Sequence, residues 1–89
     1  MYLRGGDLAH ARLLLVNSLS VHRRSGDRRS EAEVAELLGD LHTRLGQPGK
    51  ARGYFARGLG IWRELAAVPQ ETALLQRIGR PAASSAPSA

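Results

Sequence analysis

Apolar side chains recur at helical spacing in four segments of the chain, and glycine and proline separate the segments. The breaks fall at Gly5-Gly6, at Gly26, between Gly46 and Gly49, and at Pro69. Within each segment the apolar residues return every three or four positions, which places them on one face of an α-helix. The pattern predicts an all-α protein of about four helices. Short turns join them, so consecutive helices run antiparallel as helix-turn-helix units.

The first helix is predicted from about Leu8 to Arg24, with Asp7 as its N-cap. Gly26 is placed to adopt the left-handed conformation that ends it. Its apolar stripe consists of Leu8, Ala11, Leu15, Leu19 and His22.

The second helix is predicted to begin at a capping box formed by Ser30 and Glu33, with Glu31 as a further acidic residue in the first turn. Gly46 is predicted to end it. Its apolar positions are Val34, Leu38, Leu41 and Leu45.

The third helix is predicted to open at Pro48 and to continue to about Ala66, because proline suits a first helical position. A short fourth helix follows from Pro69 to about Ile78. Residues 81–89 are proline, alanine and serine only, a composition that predicts a disordered tail.

The first and third segments are related by an offset of 40 residues. Five pairs are identical at this offset, and Leu15 and Val21 fall on Phe55 and Ile61. The identical pairs are Gly6/Gly46, Ala11/Ala51, Arg12/Arg52, Leu19/Leu59 and Arg23/Arg63. A helix-turn-helix unit repeated in this way predicts an α-solenoid. Its units would be a half repeat over 1–26, a full repeat over 27–66 and a partial repeat over 67–80.

The spacing of several residues resembles the tetratricopeptide repeat signature. These residues are Leu38, Gly39, His42, Gly46, Ala51, Phe55 and Gly58. His42 stands where the family usually has tyrosine, and Gly58 stands where it has its last alanine. The repeat here is longer than the family's unit of about 34 residues. The phrases over 6–14 and 23–27 resemble the C-terminal arrays of large bacterial ATPase/helix-turn-helix transcriptional regulators. The resemblance implies a protein-interaction module that forms a fragment of such a regulator.

Composition narrows the possible chemistry of this chain of 89 residues. It has no cysteine, which excludes disulfides and thiolate-bound zinc. The formal charge is +5, but the basic residues are almost all arginine, and with the alanine and glycine content this indicates a coding bias. The charge is therefore weak evidence for a nucleic-acid partner. No apolar run is long enough for a signal sequence or a membrane span, so we expect a soluble, cytoplasmic chain.

No motif for catalysis is present. The three histidines are too far apart in sequence for a helical metal-binding motif, and His22 and His42 are predicted to be structural. No nucleophile motif occurs either. We therefore predict that the protein is not an enzyme and has no metal or cofactor.

A partner groove is predicted on the second helix, where a polar stripe lies off the apolar face. In tetratricopeptide arrays the first helix of each pair lines the groove. The candidate residues are Glu33, Glu36, Leu37, Asp40 and Arg44. A mainly acidic groove favours a basic or amphipathic peptide. The alternative is an ordinary solvated helix face.

An arginine cluster supports a second interpretation, a small basic helical protein that binds nucleic acid. The candidate patch for polyanions consists of Arg23, Arg24, Arg28 and Arg29. Arginines in a solvated turn near a helix C-terminus are the simpler explanation, and nucleic acid is the less favoured partner.

The first helix is apolar around most of its circumference, because Leu13, Leu14, Leu15 and Val16 are consecutive. Such a helix needs covering on more than one side. We expect the chain to be a piece of a longer array or to self-associate through this helix. The fourth helix would act as a C-terminal cap.

Overall fold

The computed structural model describes residues 5–79, with side chains from residue 7 onward, and these residues form four α-helices. The helices are α1 (Gly5–Ser25), α2 (Arg28–Arg44), α3 (Pro48–Glu64) and α4 (Val68–Ile78). The prediction of an all-α fold with four helices is confirmed. The tail predicted over 81–89 lies outside the described residues.

The turns between helices use left-handed residues, as the sequence predicts for the first two. Gly26 has a φ of 79° and Gly46 a φ of 73°, a region that glycine enters without steric cost. Ala66 takes the same conformation in the third turn, with a φ of 54°. A non-glycine residue there costs about 1–2 kcal/mol. Because Ala66 has this left-handed conformation, it cannot belong to the helix, and α3 ends at Glu64, before the predicted end at Ala66.

Two predicted helix starts are wrong. Asp27, not Ser30, caps α2, since the Asp27 carboxylate accepts a hydrogen bond from the Ser30 backbone N–H at 3.2 Å. Ser30 therefore lies within the first turn, and the predicted capping box does not form. In α1 the helix already begins at Gly5, so Asp7 lies in the first turn instead of capping it. Asp7 still interacts favourably there with the positive end of the helix dipole.

Each helix packs against the next one along the chain. The first core cluster lies between α1 and α2 and buries Leu8, Leu19, Val34, Ala35, Leu38 and Leu41. The second joins α2, α3 and α4 and buries Ala32, Ile61, Trp62 and Leu74. The leucines and the valine of the first cluster come from the apolar stripes predicted for the first two helices.

The 40-residue correspondence reappears in the packing. Leu15 and Leu19 of α1 pack into the cluster shared with α2. Their counterparts Phe55 and Leu59 of α3 pack into the cluster that contains Leu74 of α4. Thus α2 lies on α1 as α4 lies on α3, an arrangement compatible with a helical repeat. None of the four helices in residues 5–79 is long and apolar enough to cross a membrane.

Candidate partner-binding surface

The predicted groove residues all lie on α2, and four of the five are exposed. Glu33, Leu37, Asp40 and Arg44 are exposed, and their spacing places them along one stripe. Leu37 has 51% of its surface exposed. Glu36 lies at the edge of the stripe and is half-buried. We call the four exposed residues the α2 outer face.

Arg77 of α4 reaches this region and contacts two of the predicted acidic residues. Its Nη1 lies 2.6 Å from Glu36 Oε1, and its Nη2 donates a hydrogen bond to Asp40 Oδ1. The guanidinium carbon lies 5.4 Å from the centroid of the Phe55 ring, a distance typical of a cation–π contact. Arg77 could not be predicted from the sequence as part of this surface, because no local pattern links α4 to α2.

Glu36 also anchors α3. Its Oε2 accepts a hydrogen bond from Trp62 Nε1 at 2.7 Å, so one carboxylate holds donors from two helices. Pairing with Arg77 offsets much of the negative charge predicted for the groove. Among the described residues, Glu33 is the one groove acid without an ion-pair partner. The face therefore carries mixed charge.

A second charged cluster lies on the opposite side of α2, around a buried carboxylate. Glu31 is buried and accepts a hydrogen bond from Arg28 Nη1 at 2.8 Å, with Arg57 Nε at 3.5 Å. Arg28 also donates to Glu64 of α3. The hydrogen bond to Glu64 is the main reason that the pKa of Arg28 is raised, and Glu31 adds to it. Glu31 was predicted to favour the helix start, and its burial was not foreseen.

The structure divides the predicted polyanion patch into two pairs. Arg28 is engaged by Glu31 and Glu64, and the Arg29 guanidinium lies 5.5 Å from the Trp62 ring centroid. Arg23 and Arg24 are exposed, and no acidic side chain among the described residues pairs with them. Two of the four arginines thus have structural contacts within the protein.

The buried histidine has a structural environment. His42 Nδ1 forms a hydrogen bond with Gln47 Oε1 at 2.6 Å, and its ring stacks on Tyr54 with centroids 5.3 Å apart. His22 lies 3.7 Å from Asp27 in the turn between α1 and α2. In the described part of the chain, no three histidine or acidic residues are grouped so that they could hold a metal ion.

Two further helix faces leave apolar side chains in solvent. On α1, Leu13, Leu14, Val16 and Val21 are exposed, and the first three line a shallow depression with Asn17 and Ser20. On α4, the exposed apolar residues are Val68, Leu75 and Ile78.

Comparison with known proteins gives no match: no protein-family model, curated protein or solved structure is detectably similar to this chain. The resemblance to tetratricopeptide repeats consequently stays a prediction from the residues themselves.

Proposed function

We propose that the protein is a non-enzymatic helical-repeat module of the tetratricopeptide type that binds a protein or peptide along the α2 outer face. The observation that carries the proposal is Leu37, an apolar side chain 51% exposed at the centre of a charged stripe. Glu33 lies on one side of it, with Asp40 and Arg44 on the other. An apolar contact flanked by fixed charges suits a short amphipathic segment.

The charges on this face define the chemistry of the partner. Arg77 forms ion pairs with Glu36 and Asp40, so the Glu33 carboxylate is the acidic group on this face that can bind a basic side chain of the partner. Arg44, at the other end of α2, is suited to an acidic one. The backbone positions of Glu33 and Arg44 are about 16 Å apart at 1.5 Å rise per residue. An extended peptide of about five residues spans that length.

The wider role in this proposal follows from the phrases that resemble bacterial transcriptional regulators. In such a protein the module would act in the cytoplasm as a docking site, separate from the DNA-binding and ATPase domains. The successive packing of α1 to α4 supports a repeat architecture of this kind.

A displayed library of random peptides, panned against the immobilised chain, tests the proposal. We expect enriched peptides to pair an apolar residue with a lysine or arginine. Their affinity, measured by fluorescence anisotropy, should fall at least about tenfold in Leu37→Ser, equivalent to about 1.4 kcal/mol. Glu33→Gln should weaken binding less. The matched control is Leu13→Ser, which removes an exposed leucine from α1.

Two results would overturn the assignment to α2. One is the absence of any enriched sequence, and the other is equal loss of affinity in Leu37→Ser and Leu13→Ser.

Nucleic-acid binding is the alternative, and the exposure of Arg23 and Arg24 is the observation in its favour. It predicts binding to an arbitrary DNA duplex that weakens steeply with salt, with a log–log slope of about −0.9 per phosphate contact. Loss of this binding in Arg23→Ala/Arg24→Ala, with Arg52→Ala as control, would favour the alternative. Arg28→Ala is unsuitable for this test, because Arg28 also holds Glu31 and Glu64.

A further inference from the structure

The exposed face of α1 corresponds to a covered face of α3. At the 40-residue offset, Leu14, Ser18 and Val21 of α1 match Tyr54, Gly58 and Ile61 of α3. In α3 these positions meet α2: Tyr54 stacks on His42, Gly58 lies against Ala32, and Ile61 is buried. In α1 their counterparts Leu14 and Val21 are 58% and 50% exposed. Thus α1 has the face that receives an α2-like helix, and in the described residues that face is open.

The exposed face of α4 corresponds to the α2 face that covers α3. Val68, Leu75 and Gly79 match Arg28, Ala35 and Gly39 at the same offset. In α2, Arg28 reaches Glu64 of α3, Gly39 lies against the Phe55 ring, and Ala35 between them is fully buried. In α4, Val68 and Leu75 are 61% and 42% exposed. The open face of α4 therefore matches the type of helix face that would cover the open face of α1.

We infer that the protein self-assembles head to tail, with α4 of one copy packed antiparallel on α1 of a second copy. The contact would use the register in which α2 packs on α3. We call Leu14, Ser18 and Val21 the α1 end, and Val68, Leu75 and Gly79 the α4 end. This assembly goes beyond the proposed peptide binding and does not use the α2 outer face.

The register places compatible residues opposite one another. Gly39 lies against Phe55 within the chain, so Gly79 would lie against Leu15 of the second copy. The contact between Glu31 and Arg57 becomes Glu71 opposite Asn17. Glu71 Oε2 already accepts a hydrogen bond from Arg63 of its own chain at 2.8 Å, and its other carboxylate oxygen can accept one from the Asn17 amide.

The hydrogen bond between Glu36 and Trp62 gives a second polar pair across the contact. Its counterparts are Gln76 and His22, which can again share a hydrogen bond. Val68 falls opposite Arg24, whose aliphatic stem can pack on it. None of these pairs sets two like charges together, and Leu75 would fill the space between Leu14 and Val21.

A second copy accounts for both open faces at once, which is why we favour it over other occupants. A symmetric contact between two α1 helices would cover the α1 end and leave the α4 end exposed. Because the two ends differ, the contact is heterologous, and each added copy presents a new free end. One helix pair buries less area than a standard stable interface, so we expect weak, concentration-dependent assembly.

Sedimentation velocity on the full chain tests the inference over concentrations from about 10 µM to about 1 mM, where weak interfaces populate their complexes. We expect the average mass to rise continuously with concentration, past two copies. One variant, Leu14→Glu/Val21→Glu, blocks the α1 end. Another, Val68→Glu/Leu75→Glu, blocks the α4 end. Each variant alone should be a monomer at every concentration.

Mixing the two variants gives the decisive measurement. Each retains the end that the other has lost, so an equimolar mixture should form a complex of two chains that grows no further. The control Leu37→Glu makes the same kind of substitution at an exposed leucine outside both ends, with one added charge instead of two, and should assemble like the unaltered protein. Circular dichroism of every variant should show unchanged helix content, because all substituted side chains are exposed.

Three results would overturn the inference. The first is an unaltered chain that stays monomeric at the highest concentration. The second is a mixture of the two variants that remains monomeric while the unaltered chain assembles, or self-association of Val68→Glu/Leu75→Glu alone, which a symmetric α1 contact would produce. The third is loss of assembly in the Leu37→Glu control. Peptide binding by the α2 outer face could persist in each case, so the two proposals fail separately.

Discussion

The contact between α1 and α2 differs in kind from the contact between α2 and α3. Leucine and valine side chains at regular helical spacing form the first, with Leu8 and Leu19 against Val34, Leu38 and Leu41. The second depends on particular groups in particular places. It includes Trp62 bonded to Glu36, Gly39 against Phe55, and Arg57 beside Glu31.

The difference separates general from specific packing. Regular apolar stripes can slide or rotate by one turn and still bury similar area. A ring against a glycine, or an indole N–H on one carboxylate, fits in one register only. The α2–α3 pair therefore fixes the geometry of the molecule. It is also the pair that the proposed head-to-tail contact would reproduce.

The largest effect should come from removing Trp62. Its side chain is 2% exposed and packs with Leu74 while donating to Glu36. We expect Trp62→Ala to lower the free energy of unfolding by about 3–5 kcal/mol, through lost burial and a cavity. Urea unfolding followed by circular dichroism measures it.

The comparison for Trp62 is Leu19→Ala on the α1–α2 side. We expect a loss of about 2–4 kcal/mol there, at the lower part of the range for buried leucines. A larger loss for Leu19 than for Trp62 would break the distinction between the two contacts.

The next effect concerns the close approach at Gly39. A Cβ at this position would lie 2.5 Å from Cε1 of Phe55, and Arg77 covers the same ring. We expect Gly39→Ala to destabilise the protein by about 1–3 kcal/mol, since the ring has to move. The double variant Gly39→Ala/Phe55→Leu should recover part of that loss, which a double-mutant cycle would reveal.

Gly53 provides the matched control, because no atom lies within 4 Å of a Cβ placed there. Gly53→Ala should stabilise α3 by about 0.5–1 kcal/mol through helix propensity alone. If both alanine variants changed stability in the same direction, the steric account of Gly39 would be wrong.

The helices and the regular apolar contacts could be predicted from the sequence. Periodicity was sufficient for the four helices and for Val34, Leu38 and Leu41, because a single stripe faces a single neighbour.

The partners of the charged residues could not be derived in this way. Glu31 and Glu33 look alike in sequence, yet Glu31 is buried against two arginines and Glu33 is exposed. Arg77 is separated from Glu36 by 41 positions and from Asp40 by 37, so only the packing of α4 brings them together. The sequence thus predicted an exposed polar stripe on α2 but not the internal partners of its acidic residues.

The contrast between Glu31 and Glu33 yields a further prediction. Glu31→Gln keeps the shape of the side chain but removes the charge that Arg28 and Arg57 face. We expect a loss of about 1–3 kcal/mol, the typical cost of leaving buried polar partners poorly satisfied. Glu33→Gln should stay within about 0.5 kcal/mol, as for other surface substitutions. Thermal unfolding of the two variants side by side measures the difference, and equal midpoints would contradict it.

The smallest effect is a dependence of stability on pH at the turn between α1 and α2. Hydrogen bonds from the side chain and backbone of Ser30 hold the pKa of Asp27 below its ordinary value of 3.8. The folded state therefore binds this proton less readily than the unfolded state does. The resulting stabilisation is present above that ordinary value and is lost as the pH falls through the lower, folded-state pKa. Asp27→Asn keeps a cap that can accept the Ser30 bond and removes the titration. Between about pH 7 and about pH 3, its unfolding midpoint should fall less than that of the unaltered protein.

Glu33→Gln, which removes an acid without an ion-pair partner in the described chain, is the control for the loss of one carboxylate. If it reproduced the altered pH dependence, that dependence would reflect net charge and not the hydrogen bonds at Asp27.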